Sequence, residues 1–390
     1  MKKLAIVTTH PVQYYAPVFK LLNERKGLII KVFYTWGKNS AAKYDPGFDK
    51  IIEWDIPLLD GYPYEWVINT AKDPGTHHFG GIANPDLIND LKQMGPDAIL
   101  VYGWAFKSHL KVIRYFKNKT LVYFRGDSTL LDEKHGVKSL LRGFFLKWVY
   151  KHIDYAFFVG ANNKNYYLKF GLKNNQLQFA PHSVDNDRFG IEKTEEAISL
   201  RQQLHLKNEE ILILFAGKLG AKKAPLQLLE AFKSLARNDV HLLYIGNGPL
   251  EEELKMNPEQ NSNVHFMDFQ NQSYMPTAYQ ACDIFCLPSI GPNETWGLAI
   301  NEAMACAKAI LTSDKAGAAI DLVKTGVNGS VFKAGDTSDL KHHLNLLLKH
   351  NRYELKKMGE KSKEIIKNWH FEIQVNAIAS FIENERKTAI

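Results

Sequence analysis

Short apolar runs alternate with longer amphipathic ones along this chain. Leu4–Val7, Leu28–Tyr34, Ala98–Val101, Leu121–Phe124 and Tyr155–Val159 are too short for buried helices. Several are bounded by Gly, Pro or Asp, so they predict strands. Segments of helical character lie between the later ones, at Pro85–Met94, Lys107–Phe116 and Val137–Tyr150. A β-α-β-α order implies a parallel sheet with helices on both faces. From about Asn186 to Glu210 the chain turns polar and charged. The alternation then resumes at Ile211–Phe215, Val240–Ile245, Val264–Met267, Ile284–Leu287 and Ala309–Thr312. Two blocks separated by a polar stretch predict two doubly wound α/β domains, at 1–185 and 186–368, with a terminal helix within 369–390. In that helix Phe371, Val375, Ile378 and Ile382 have helical spacing and need an apolar surface to cover.

Composition narrows the class. The chain has 390 residues, 45% hydrophobic and 23% charged, which suits two or three globular domains and excludes a disordered chain. A net charge of +7 permits anionic partners such as nucleotides, phosphates or acidic lipid, and does not call for nucleic acid. Cys282, Cys286 and Cys306 are too few and too odd in number for a disulfide framework. They read as buried small hydrophobes in a reducing compartment. No run approaches the ~18 apolar residues that a membrane span needs. The expected location is therefore the cytoplasm.

Ligands of doubly wound sheets bind at the carboxyl ends of the strands, so the residues after each strand carry the candidate chemistry. Gly217-Lys218-Leu219-Gly220-Ala221-Lys222-Lys223 precedes a helix near Pro225. Glycine admits close backbone approach, and lysine supplies a compact charge for phosphate. A solvated turn is the plain alternative. Gly246-Asn247-Gly248-Pro249 is a weaker nucleotide signal and equally a tight turn. The strongest feature is Glu294-Thr295-Trp296-Gly297-Leu298-Ala299-Ile300-Asn301-Glu302. Glu302 falls inside a helix from Leu298 to Ala307 among apolar neighbours, and Glu294 precedes that helix. The two carboxylates can bracket one ligand over the helix start, each able to accept from vicinal hydroxyls.

On these residues the chain resembles the retaining family-4 glycosyltransferases of the GT-B fold. The E-x7-E pair Glu294/Glu302, the run Glu302-Ala303-Met304-Ala305-Cys306, Gly217-Lys218…Lys223 and the Gly246–Leu250 turn carry the likeness. Thr9-His10-Pro11-Val12-Gln13-Tyr14-Tyr15-Ala16-Pro17 and Arg125-Gly126-Asp127-Ser128 resemble the N-terminal halves of one subset. Lys218 stands where the family usually has arginine, and Ala307 where it often has glycine.

The resemblance implies two Rossmann-like domains facing each other across a cleft, with the last helix crossing back onto the first. It implies that Lys218 and Lys223 hold a donor diphosphate, that Glu302 bonds the ribose, and that Glu294 contacts the transferred sugar. The amides of Trp296, Gly297 and Leu298 would meet the phosphates, and Gly217, Gly246, Gly248, Pro249 and Leu250 would line the nucleotide. It implies metal-independent transfer from a nucleotide-diphosphate sugar to a glycan or lipid-linked acceptor, as in surface polysaccharide or lipopolysaccharide assembly. Asp127, Arg125 and His10 are the acceptor-side candidates; His77, His78 and His109 follow behind them. A GT-B sugar-nucleotide epimerase and a sugar-nucleotide-binding protein without turnover are the alternatives.

Two further features need weighing. Asp185-Asn186-Asp187 matches an Asp-x-Asp metal motif, but it lies between the domains rather than at a strand end, so no metal is expected there. Lys134–Lys151 holds Lys134, Lys138, Arg142, Lys147 and Lys151 and no acid, with Leu140, Leu141, Phe144, Phe145, Trp148 and Val149 at helical spacing. Such a helix either lies peripherally on an anionic membrane or packs its apolar side on its own sheet.

Overall fold

The computed structural model describes residues 1–38, 43–45, 50–134, 136–256 and 262–384. They form two compact units. The first comprises Met1–Lys43, Ile56–His182 and the chain from Phe371 on; the second comprises Tyr44–Asp55 and Ser183–His370.

The first unit holds seven parallel strands in the spatial order Tyr64–Trp66, Leu28–Tyr34, Lys2–Thr8, Ala98–Tyr102, Leu121–Arg125, Tyr155–Phe158 and Leu177–Phe179. Side chains of a strand alternate between faces, and the first strand shows it. Leu4 and Ile6 pack with Val18, Phe19 and Leu22 of helix Ala16–Asn23. Ala5 and Val7 join the other core with Leu91 and Ile113. The terminal helix Phe371–Asn384 adds Phe371, Val375, Ile378 and Ile382 to the same core as Leu4 and Ile6. Its apolar stripe is thereby covered within the first unit. Residues 385–390 of the expected C-terminal segment lie outside the described residues.

The second unit holds six parallel strands in the order Val264–Met267, Val240–Ile245, Ile211–Ala216, Ile284–Leu287, Ala309–Ser313 and Gly329–Phe332. Ile211–Ala216 and Val240–Ile245 are buried at every position, as strands covered on both faces must be. Ranked by sequence, each sheet runs 3-2-1-4 from one edge, the doubly wound order whose switch point lies between its first and fourth strands. In the second unit that point lies between Ile211–Ala216 and Ile284–Leu287, where the loops that carry Lys218, Lys222 and Lys223 and, on the other side, Glu294 emerge.

Two features add to the reading of the sequence and one corrects it. The polar stretch after Asn186 belongs to the second unit, as expected, and is not devoid of regular structure. It forms helices Asn186–Gly190 and Thr194–Gln203 within the second unit, anchored by the Arg201 salt bridge to Asp283 at 3.0 Å. Edge strands Tyr64–Trp66, Leu177–Phe179 and Gly329–Phe332 carry too little apolar run to signal themselves. Segment Tyr44–Asp55 belongs to the second unit, where Asn271 Nδ2 donates to the Glu53 carbonyl at 2.6 Å and Trp54 meets Phe269.

Candidate functional site

The second unit gathers its candidate residues at the switch point. After strand Ile211–Ala216 the chain turns through Gly217 at φ +153° and a single 3-10 turn, Ala221–Lys223, into helix Pro225–Lys233. The Gly246–Leu250 turn is sewn onto this loop. Gly217 N–H donates to the Ile245 carbonyl at 2.9 Å, and Leu219 N–H to the Asn247 carbonyl at 3.0 Å. A Cβ on Gly246 would lie 2.0 Å from the Gly217 carbonyl oxygen, and one on Gly248 2.6 Å from that of Leu219. Both glycines are thus demanded by the crossing of two backbones. Asn247 locks the turn, its side chain donating to Glu251 and Asp268 and accepting from the Phe269 amide.

Lys223 and Glu294 meet across the switch point. Lys223 Nζ is 2.6 Å from Glu294 Oε2, and Ser289 Oγ donates to the same oxygen at 2.9 Å. Burial alone would raise the Glu294 pKa. Lys223, then Lys222 and the Ser289 hydroxyl, outweigh it and hold the carboxyl below its usual range. Lys222 donates to the Asn293 carbonyl, which holds the Glu294 loop against the lysine loop. From the other side Gly317 N–H donates to the Glu294 carbonyl at 3.1 Å and Ala318 N–H to that of Trp296 at 2.9 Å.

Helix Leu298–Ala305 starts immediately beyond, and its first amides lack carbonyl partners within the helix. Gly297, at φ +99°, makes the entry turn, and a Cβ there would stand 3.8 Å from Glu294 Oε1. The second Glu294 oxygen therefore faces the start of the helix. The Trp296 indole is buried and donates to Asn301 Oδ1 at 2.9 Å, so that side chain anchors the loop. Glu302 is buried one turn into the helix, where Tyr279 OH donates to its Oε2 at 2.8 Å. Lys218 follows Gly217 in the same loop and is half-buried. A separate cavity of about 640 Å³ opens at the amino ends of the strands beside Cys282, Asp283 and Lys308, away from all of these groups.

In the first unit, Arg125 ends its strand fully buried. It donates to the carbonyls of Ala180 at 2.7 Å and Pro181 at 3.0 Å. It is a backbone anchor, which corrects its reading as an acceptor ligand. Asp127 is about half exposed and lies 3.8 Å from the buried His182 ring. Burial lowers the His182 pKa, so the ring is neutral at pH 7. Tyr167 OH clamps the intervening Gly126, accepting from its amide and donating to its carbonyl. His10 bonds Thr9 Oγ1 at 2.8 Å and meets the Trp36 ring. His109 is buried between Thr35 and the Tyr102 and Gly103 carbonyls, and burial pushes its pKa down to about 4, a structural role. Among the described residues, Asp73, His77 and His78 are close enough to share a cation. However, the Gly80 amide donates to His78 Nδ1, which leaves the proton on Nε2, the nitrogen facing Asp73. Asp185 caps helix Asn186–Gly190 through the Arg188 amide.

Residues 197–365 match the family described as glycosyl transferases group 1. That stretch of the second unit resembles a group 1 glycosyltransferase domain. The matched stretch of this domain includes Lys218, Lys223, Tyr279, Glu294 and Glu302. An uncharacterized glycosyltransferase of Methanocaldococcus jannaschii is 30% identical over 139 residues, 35% of each chain. Alpha-galactosylglucosyldiacylglycerol synthase of Streptococcus pneumoniae is 23% identical over 266 residues, 63% of this chain and 67% of that one. The chain thus spans about a third of the length of the first relative and about two thirds of the second. Among solved structures, Anabaena HepE in complex with UDP superposes with a TM-score of 0.72 at 17% identity, covering 98% of this chain and 100% of that one. The fold is GT-B.

Sequence reasoning missed Tyr279, Ser289 and Gly317. Tyr279 and Ser289 carry no motif of their own, and Gly317 is distant in sequence from the loop it supports.

Proposed function

We propose that the chain is a retaining glycosyltransferase. It takes a nucleotide-diphosphate sugar as donor and delivers the sugar to a hydroxyl of a glycan or lipid-linked acceptor, without a metal. The observation that carries this reading is the Lys223–Glu294 pair at the head of helix Leu298–Ala305, with Glu302 and its Tyr279 partner one turn behind. In this reading Glu302 accepts from the ribose hydroxyls, and Tyr279 fixes the carboxylate for that task. Lys218, Lys223 and the first helix amides face the leaving diphosphate, where negative charge grows as the glycosidic bond breaks. Preorganised donors aimed at that charge lower the barrier without reorganising. Glu294 lies beside them to accept from the sugar hydroxyls. Departure of the diphosphate from the face the acceptor enters preserves the anomeric configuration. The diacylglycerol-linked product named for the Streptococcus relative supports a lipid-linked acceptor. Asp127 and His10 remain the acceptor-side candidates.

Thermal unfolding with UDP, GDP and ADP, and with their common sugar conjugates, tests the donor assignment. UDP goes first because the Anabaena neighbour was solved with it. One nucleotide at a hundred times its dissociation constant should add about 2.7 kcal/mol to the wild type, and far less to Glu302→Ala. No shift with any nucleotide would overturn the reading, and an equal shift in Glu302→Ala would remove Glu302 from the site. Incubation with donor alone separates transfer from epimerisation, since an epimerase would release a new sugar nucleotide. Turnover is expected to survive EDTA unchanged. Loss that magnesium restores would refute metal-independent transfer.

A further inference from the structure

The cavity at the amino ends of the second sheet shares no lining residue with the donor site. Its floor is formed by Cys282 and Asp283 and by the loop from Ala305 to Lys308. Helices Asn186–Gly190 and Thr194–Gln203 stand on one side, and helix Arg352–Ile366 on the other. Arg352, Lys356 and Lys363 lie on one face of that last helix, the face turned to the cavity. At about 640 Å³ the space has the size of a small-molecule site.

Five cations line it against three acids. Asp283 is shared by two guanidiniums, Arg201 at 3.0 Å and Arg352 at 2.9 Å, and also accepts from the Leu212 amide. Its charge is therefore outweighed. Lys308 Nζ donates to the carbonyls of Gln280 and Cys282, each at 3.0 Å, which leaves its third N–H to the cavity. Lys363 reaches toward the opposite side, where a Cβ added to Gly190 would lie 3.9 Å from its Nζ. Among the described residues, none of Lys308, Lys356 and Lys363 has a carboxylate partner. Cys282 and Cys306 also reach the cavity. Burial pushes the Cys282 thiol up to about 12 and the Cys306 thiol up as well, so both stay protonated near neutral pH and the lysines set the chemistry.

We propose that this cavity binds a small molecule carrying a phosphate group, and that its occupancy alters donor affinity through the helix that holds Glu302. A phosphate brings about two negative charges and three acceptor oxygens to ammonium groups that lack carboxylates. Phe189 and the exposed Ile198 and Tyr353 give its organic body an apolar surface. Helix Leu298–Ala305 begins at the donor site and ends at the cavity. The Cys306 amide donates to the Glu302 carbonyl at 3.1 Å, and Cys306 Sγ donates to the Phe189 carbonyl at 3.2 Å. Tyr279, which bonds the Glu302 carboxylate, is followed by Gln280, whose carbonyl receives Lys308. A ligand that draws on Lys308 thus acts on both carriers of the Glu302–Tyr279 bond. The link to donor binding rests on the role proposed above for Glu302; binding in the cavity does not.

Calorimetric titration of the full chain with inorganic phosphate and with glucose-6-phosphate is the test. Both should bind saturably, the sugar phosphate more tightly because its ring adds contacts. Lys356→Met/Lys363→Met should weaken both by at least about tenfold, whereas Lys218→Ala in the donor loop should leave them unchanged. Lys356 and Lys363 are exposed, so an unchanged melting temperature confirms that the double variant folds. Lys308→Met is the second variant and should weaken the same probes. Saturating glucose-6-phosphate should shift the UDP dissociation constant by at least about fivefold, and UDP should shift that of glucose-6-phosphate by the same factor. Absence of saturable binding by either probe overturns the proposal. So does binding that Lys218→Ala abolishes and Lys356→Met/Lys363→Met keeps. Binding in the cavity with an unchanged UDP constant overturns the link to Glu302. Should no nucleotide bind at all, the donor reading fails, and titration of the two probes still decides the cavity.

Discussion

Replacing Lys223 with alanine is expected to lower turnover of the donor about a hundred- to a thousandfold, the usual effect of removing one preorganised donor to developing charge. The residue acts twice. Its ammonium lies 2.6 Å from Glu294, and the pair stands beside the helix start where the diphosphate would leave. Without Lys223 the buried Glu294 keeps only the Ser289 hydroxyl and the more distant Lys222. Breaking a buried pair from one side costs up to about 3–5 kcal/mol, and those remaining partners place this case at the lower end. The sign of the pH effect follows from Glu294. Its folded pKa lies below the ordinary glutamate value, so its stabilisation is present above that ordinary value and is lost as pH falls through the folded one. In Lys223→Ala burial dominates, the carboxyl pKa rises, and the acid limbs of both stability and activity move to higher pH. The double variant with Glu294→Gln should lose much less than the sum of the two single losses, because both remove one interaction. Steady-state kinetics across pH checks this. A Lys223→Ala enzyme within tenfold of wild type would take the lysine out of the chemistry.

The second large effect is expected from Gly317→Ala, at a residue remote in sequence from the carboxylate it supports. A Cβ at Gly317 would lie 1.8 Å from the Thr295 carbonyl oxygen and 3.1 Å from Trp296 Cα. Those are backbone atoms, so no side chain can rotate aside. The 294–296 backbone has to move, and with it the hydrogen bonds from Gly317 and Ala318 to the Glu294 and Trp296 carbonyls. Overpacking of this kind costs about 1–3 kcal/mol or more. Displacing Glu294 by about 1 Å from Lys223 should cost about a further hundredfold in turnover. Melting temperature and donor kinetics should therefore fall together. Wild-type values for both would show that the loop absorbs the methyl group.

The two doubly wound sheets were legible from alternating apolar runs, because strands buried on both faces are near-continuous hydrophobic segments. Helices Lys107–Phe116 and Val137–Tyr150 appear with the expected bounds for a related reason, their lengths being set by amphipathic runs. Edge strands Tyr64–Trp66 and Leu177–Phe179 escaped, since three partly exposed residues carry no period. Helix Thr194–Gln203 also escaped, because its polar surface outweighs the few side chains it buries, Ala197, Leu200 and Arg201.

At the candidate site, residue type and spacing marked Lys218, Lys223, Glu294 and Glu302, and the group 1 match spans all four. Spacing could not show that Lys223 pairs with Glu294 across 71 positions, since their loops leave two strands that are neighbours only in the folded sheet. Nor could residue type separate Arg125, spent on two backbone carbonyls, from Asp127, half exposed beside His182. Helix Val137–Tyr150 is the same kind of case, with Leu140, Leu141 and Phe144 exposed on its outer side. Periodicity finds the apolar residues, but small Ser139 and Gly143 on the inner side decide where the helix seats. Local sequence determined what each segment is, because burial pattern and turn chemistry act over a few residues. Tertiary structure alone decided which groups share a charge, an oxygen or a face, because those contacts join residues that the chain holds far apart.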